Sequence, residues 1–337
     1  MKPVAHGGNL DEIEQRFADA PRPWIDLSTG INPLAYPATN LAASSWARLP
    51  MKSDEQALLA VAAARYGVPD PATILAAPGT QALIQLLPRL VPRGRVAVVG
   101  PTYEEHEVCW RRQGHDVVVV PDLAQTADAD VVVVVNPNNP TGRLLSPADL
   151  YDRRGLLVVD EAFIDFLAPT ASLAGNLPPH TIVLRSFGKA YGLAGVRLGF
   201  AIAEKSLIDR MRDELGPWAV SGPALDLGRR ALGDEPWFQA TAARLDAQRT
   251  KLDTLLVRAG FTLLGGTPLF RLTHHREAQS VVTRLAQHGI HVRAFAAGPN
   301  WLRWGIPGDD VALRRLKAAL LGPAANESLS DATTLRF

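Results

Sequence analysis

The feature that most constrains this chain is a succession of short β-branched runs separated by helical patterns. Val131 to Val135 is an unbroken run of valine. Such a strand is apolar on both faces, so both must be covered, which calls for helices on either side of a mostly parallel sheet. Candidate strands are Thr73–Ala77, Arg95–Gly100, Asp116–Val120, Asp130–Val135, Gly155–Asp160, Thr181–Ser186 and Leu198–Ala203. Too few residues join the last two for a crossover helix, so Leu198–Ala203 is expected to run antiparallel to its neighbour. The pattern predicts an α/β fold: a large three-layer αβα domain over 46–235 with a mostly parallel seven-stranded sheet.

Outside that sheet the chain reads as a small α/β domain made of 1–45 and 236–321. Its N-terminal part is irregular and rich in Pro and Gly. A long helix is expected over Pro236–Gly260, with Pro at its start and Gly at its end. Then come strands Phe261–Leu264 and Leu269–Thr273, a helix Glu277–His288, strands His291–Phe295 and Trp301–Gly305, and a helix Asp309–Leu321. The segment 322–337 is polar and weakly patterned, and is expected to be mobile.

Composition excludes several classes. Lys plus Arg number 35 against 34 for Asp plus Glu, which gives no broad basic field for nucleic acid. Apolar stretches such as Ala57–Ala64 are too short to cross a bilayer. The one cysteine, Cys109, cannot form an intramolecular disulfide and suits a reducing compartment. Met1 to Asn9 lacks the apolar core of a signal peptide. The expectation is a cytoplasmic protein with no nucleic-acid or membrane partner. No metal is expected, since His6 and the pair His274–His275 lack companion ligand spacing.

In open α/β sheets the chemistry gathers beyond the carboxyl ends of the strands. Those ends carry Pro78-Gly79-Thr80-Gln81 at a helix start, Asn136-Pro137-Asn138-Asn139-Pro140-Thr141-Gly142, Asp160-Glu161-Ala162-Phe163, and Ser186-Phe187-Gly188-Lys189 with Arg197 eight residues on. Alone, each is ordinary: a cap, a turn, a strand end, a solvated lysine. Their order and spacing together are not.

This set resembles the fold-type I pyridoxal-phosphate (PLP) enzymes, in the branch containing histidinol-phosphate aminotransferase, over nearly the whole chain. The resemblance implies that Lys189 carries the cofactor and moves protons, and that Asp160 holds the proton of the pyridine nitrogen. It implies that Asn139 bonds the ring hydroxyl oxygen and that Tyr103 stacks on the ring. The cofactor phosphate would rest on the N–H groups of Gly79, Thr80 and Gln81, the Ser186 hydroxyl and the Arg197 guanidinium. A homodimer is also implied. Two positions depart from many relatives. Phe163 stands where a tyrosine donates to the ring oxygen. Arg48-Leu49-Pro50 stands where a partner subunit's tyrosine reaches the phosphate, which leaves that contact open.

The N-terminus narrows the branch. His6-Gly7-Gly8-Asn9, followed by Asp26-Leu27-Ser28-Thr29-Gly30-Ile31-Asn32-Pro33, is similar to the L-threonine-O-3-phosphate decarboxylase family, which makes the aminopropanol phosphate linker of cobalamin. The substrate expected from that resemblance is a small phosphorylated amino acid, held by His6, Gly7, Asn32, Asn139, Arg293 and Arg303. Arginine forks suit both carboxylate and phosphate. A histidinol-phosphate-type aminotransferase is the alternative. Two further classes fit less well. The Ser186-x-x-Lys189 spacing also occurs in serine acyltransferases, but their Ser-Asp-Asn and Lys-Thr-Gly tripeptides are absent. A transcription regulator would need an additional DNA-binding domain, for which no room is expected.

Overall fold

A computed structural model describes residues 7–151, 154–296 and 298–322. His6 lies outside the described residues, as does the expected mobile tail beyond Gly322. The strands are β1 (Ile25–Leu27), β2 (Ile74–Ala77), β3 (Arg95–Val99), β4 (Asp116–Val120), β5 (Val131–Val135), β6 (Leu156–Asp160), β7 (Thr181–Ser186), β8 (Gly199–Ile202), β9 (Thr262–Thr267), β10 (Phe270–His274), β11 (Ile290–Ala294) and β12 (Trp301–Gly305). They fall in two compact units: Leu34–Thr241, and a second built from the residues up to Pro33 and from Ala242 onward.

The valine runs set the first unit. Its sheet has the order β2-β8-β7-β6-β5-β3-β4, and β8 runs antiparallel to both β2 and β7 while the other pairs are parallel. Alternate valines of β5 serve opposite cores. Val132 and Val134 pack with Leu58, Ala62 and Leu225. Val131 and Val133 pack with Leu83, Ile84, Trp110 and Met211. Burying each such side chain is worth about 1.5–3 kcal/mol, which is why neither face can be left bare. Helix Lys52–Tyr66 covers one face. It carries Asp54 and Glu55 in its first turn and ends at Gly67, whose φ of 69° suits glycine.

The chain steps from β3 outward to β4, then returns to place β5 on the other side of β3. This is the switch point of the sheet, where loops leaving neighbouring strands diverge and a ligand crevice forms. Tyr103 follows β3, and the Asn136–Gly142 loop follows β5.

The second unit has the sheet order β1-β11-β12-β10-β9, with β1 parallel to β11 and the remaining pairs antiparallel. Helices Ala278–Gln287 and Asp310–Leu321 bury Val281, Leu285, Leu316 and Leu320. The Asp309 carboxylate caps the latter by accepting from the Ala312 N–H at 2.7 Å. Strand β1 corrects the expectation of an irregular N-terminal segment. Three residues are too few to show alternation, and pairing with Ile290, His291 and Val292 is what makes them a strand. Among the described residues no helix is long and apolar enough to cross a membrane.

Candidate active site

Asp160 is the last residue of β6 and is 3 % exposed. Its Oδ1 accepts from the Ala162 N–H at 3.0 Å, and its Oδ2 lies 3.0 Å from His106 Nε2. An ionised carboxylate can only accept, so His106 donates. His106 is fully buried in the first turn of helix Glu105–Arg112. It is not among the residues expected from the sequence. Its spacing three residues after Tyr103 was the available signal, since that places it beside Tyr103 at a helix start; the two rings are 6.1 Å apart and edge-on.

Lys189 lies in the short helix Phe187–Ala190 that continues β7, the strand next to β6. Its Nζ sits 5.6 Å over the Phe163 ring. The helix is held by Phe187 and Tyr191, buried and stacked at 4.7 Å. A Cβ at Gly188 would come within 2.8 Å of Ala194 Cα, so the Phe-Gly-Lys sequence permits the tight return of the chain.

Gly79, Thr80, Ser186 and Arg197 form one cup. Ser186 is paired with Gly199 across β7 and β8. A side chain at Gly199 would lie 2.6 Å from the Thr80 nitrogen, and one at Gly79 would lie 2.7 Å from an Arg197 guanidinium nitrogen. The two glycines thus let backbone, hydroxyl and guanidinium converge. Arg197 has a φ of 57°, a left-handed conformation uncommon for a side-chain-bearing residue. Among the described residues it makes no ion pair; its guanidinium donates to the Ala194 carbonyl at 3.2 Å. The Gly79 N–H is turned to the Ala77 carbonyl at 2.7 Å, while Thr80 and Gln81 open helix Thr80–Leu86, where N–H groups have no intrahelical acceptor.

The Tyr103 hydroxyl donates to Gln81 Oε1 at 3.1 Å, and Gln81 Nε2 donates to Glu105 at 2.9 Å. Burial, then the nearby Glu105 carboxylate, holds the Tyr103 phenol well above its usual range, so it stays protonated. Burial with Glu105 also pushes the Cys109 thiol up to about 11, and it acts as an inert core group. Asn139 is half-buried in the loop after β5. Its neighbour Asn138 fixes that loop: its side chain donates to Thr141 Oγ1 and the Pro101 carbonyl and accepts from Thr102 Oγ1.

In the second unit Arg293 and Arg303 stand directly opposite each other on β11 and β12. Like charges so placed repel. Arg303 is 7 % exposed and donates to the Ser28 carbonyl at 2.6 Å. Burial, and then Arg293, pushes its guanidinium down to about 10, with Asp26 opposing the fall. An anion placed beside this pair would offset both costs. Gly7 packs against Ser28, and the Gly8 N–H donates to Ser28 Oγ at 2.7 Å, so the N-terminal motif and Arg303 meet on one residue. Asn32 is buried.

The groups of the first unit fit PLP. A lysine amine and a buried carboxylate stand at the ends of adjacent strands, and a glycine-walled cup with a guanidinium suits a phosphate. Residues 25–320 match the family described as Aminotransferase class I and II. A threonine-phosphate decarboxylase of Sinorhizobium sp is 44% identical, the match covering 94% of this chain and 98% of that protein. One of Pseudomonas aeruginosa is 41% identical, over 95% and 98%. Among solved structures, a histidinol-phosphate aminotransferase of Sinorhizobium meliloti in complex with pyridoxal-5'-phosphate superposes with a TM-score of 0.78 at 22% identity, covering 94% of each chain. The chain belongs to the class I and II aminotransferase family, on its threonine-phosphate decarboxylase branch.

Proposed function

We propose that this chain is a PLP-dependent carboxy-lyase that removes the carboxylate of L-threonine O-3-phosphate as CO2 and leaves (R)-1-aminopropan-2-yl phosphate, the aminopropanol linker of cobalamin. The observation that carries it is the buried Arg303 opposite Arg293, joined through Ser28 to the Gly7–Gly8 segment: a built anion site for a doubly anionic amino acid. The full-length relatives support decarboxylation over amino transfer.

PLP, when bound, supplies an aldehyde for the substrate amine and a ring that withdraws electrons from bonds at the adjacent carbon. The Ser186–Arg197 cup would hold its phosphate, Tyr103 and Asn139 would set the ring, and Asp160, aimed by His106 and the Ala162 N–H, would keep a proton on the ring nitrogen. Lys189 Nζ would hold the cofactor aldehyde at rest and would supply the proton that the substrate α-carbon needs in place of the carboxylate. Arg303 and Arg293 grip the substrate's anionic groups, with His6, Gly7 and Asn32. A substrate held by both of its anionic groups would not turn freely about its α-carbon, which is what selection among the bonds at that carbon requires.

A homodimer and a cytoplasmic site of action belong to the same proposal. Support for the first comes from Trp46, Leu49, Met51 and Trp218, large apolar side chains that this unit leaves exposed. The lone thiol suits the second. The test is incubation of the holoenzyme with O-phosphothreonine. Equimolar CO2 and amine, with the cofactor still in its aldehyde form, are expected. Accumulation of the keto acid and pyridoxamine phosphate would assign an aminotransferase.

A further inference from the structure

Ser28 is fully buried and joins three parts of the second unit. Its N–H and its hydroxyl both donate to Asp26 Oδ1, at 2.8 and 2.6 Å. With its hydrogen committed to the carboxylate, Oγ presents a lone pair, and the Gly8 N–H donates to it at 2.7 Å. The Ser28 carbonyl accepts from Arg303 at 2.6 Å. The two glycines fit this arrangement. A side chain on Gly7 would strike the Ser28 carbonyl, and Gly8 has a φ of 84°. Gly305, on the strand that carries Arg303, allows the Thr29 carbonyl to approach: a Cβ there would lie 2.6 Å from it.

We propose that Asp26 and Ser28 are a positioning pair that seats the Gly7–Gly8 segment beside Arg303, so that the segment and the guanidinium meet a substrate anion as one preassembled site. Neither residue needs to touch the substrate. Asp26 orients the Ser28 hydroxyl, the hydroxyl fixes the N-terminal segment, and the carbonyl of the same residue fixes the arginine. Preassembly lowers the ordering cost of binding, so loss of the pair weakens substrate capture more than turnover.

This inference rests on the anion-site role proposed above, so its test has two arms. In the first, amide hydrogen exchange over residues 7–9 is followed by mass spectrometry in the holoenzyme without substrate. Ser28→Ala and Asp26→Ala should speed exchange at least tenfold. Asp26→Asn, which keeps an acceptor oxygen, should leave it near the unsubstituted rate. In the second, kinetics with O-phosphothreonine should show KM raised about tenfold in both alanine variants, kcat changed less than threefold, and PLP affinity unchanged. Asp26→Asn should again resemble the unsubstituted enzyme. Unchanged exchange in Ser28→Ala overturns the seating, and a Asp26→Asn as impaired as Asp26→Ala shows that charge and not hydrogen-bond geometry matters. If the unsubstituted enzyme ignores O-phosphothreonine, the substrate assignment fails, and the exchange arm still decides the seating. Folding of each variant is checked by its PLP absorbance.

Discussion

At the scale of single residues, Asp160 and Phe163 carry the sharpest consequences. Asp160 is buried and receives donors from His106 and Ala162, so its oxygens are held in place. Asp160→Asn keeps the shape and removes the charge that, in the proposed function, would hold a proton on the ring nitrogen. Activity should fall at least a hundredfold, about 2.7 kcal/mol in the barrier, with some PLP retained. A kcat within threefold, about 0.7 kcal/mol, would disprove that role. Phe163 lies under the Lys189 ammonium and has no donor to offer. In the proposed function Phe163→Tyr would add a donor to the ring oxygen, as the tyrosine of many relatives is expected to. A donor stabilises the deprotonated, anionic form of the chromophore and lowers the pH at which it loses its proton. The visible absorbance of Phe163→Tyr should therefore change at lower pH than that of the unsubstituted holoenzyme. An equal or higher transition pH would mean that another group already supplies the donor. Asp160 and Lys189 stand out in the sequence because one ends a strongly patterned strand and the other follows three residues after the end of the next. His106 left only its spacing from Tyr103 as a mark and Glu105 left none, because their partners lie 54 and 24 residues away in the chain, at Asp160 and Gln81.

At the scale of elements, the cup proposed to hold the phosphate depends on β8 pressing against the turn after β2. Only a glycine at 199 allows that approach, since an added Cβ would meet the Thr80 nitrogen at 2.6 Å and the Gly79 carbonyl carbon at 2.9 Å. Backbone must move to relieve such a contact, typically at about 1–3 kcal/mol. Gly199→Ala should weaken PLP binding tenfold or more in a fluorescence titration of the apoenzyme. Gly195→Ala, which meets nothing within 4 Å, is the control and should bind normally. Affinity equal in the two would separate the cup from the phosphate. The strands of this sheet were legible because valine on both faces has one physical solution. The antiparallel β8 was legible from its short connection. Strand β1 was not, because its pairing with β11 spans more than 260 residues of chain and leaves no local mark in three residues.

At the scale of the whole molecule, the charge balance and apolar fraction gave a class and no more. What they could not give is where apolar surface remains outside. Trp46 is 70 % and Trp218 59 % exposed. Both belong to the first unit, where the Ser45 backbone packs against Gly222. Covered by a second copy of the chain, these side chains would be lost from solvent. Light scattering after size-exclusion chromatography should give twice the mass of the 36.3 kDa chain, and Trp46→Glu with Trp218→Glu should shift it toward one. A monomeric unsubstituted protein would remove the dimer from the proposal.

The central claim is that the bond broken lies between the α-carbon and the carboxylate, not between the α-carbon and its hydrogen. O-phosphothreonine carrying deuterium on the α-carbon separates the two. Decarboxylation leaves that deuterium in place and adds one proton from solvent to the same carbon. Mass spectrometry of the aminopropanol phosphate should therefore show full retention of the label, with CO2 released in equal amount. Loss of the deuterium to water, with a keto acid as product, would contradict it.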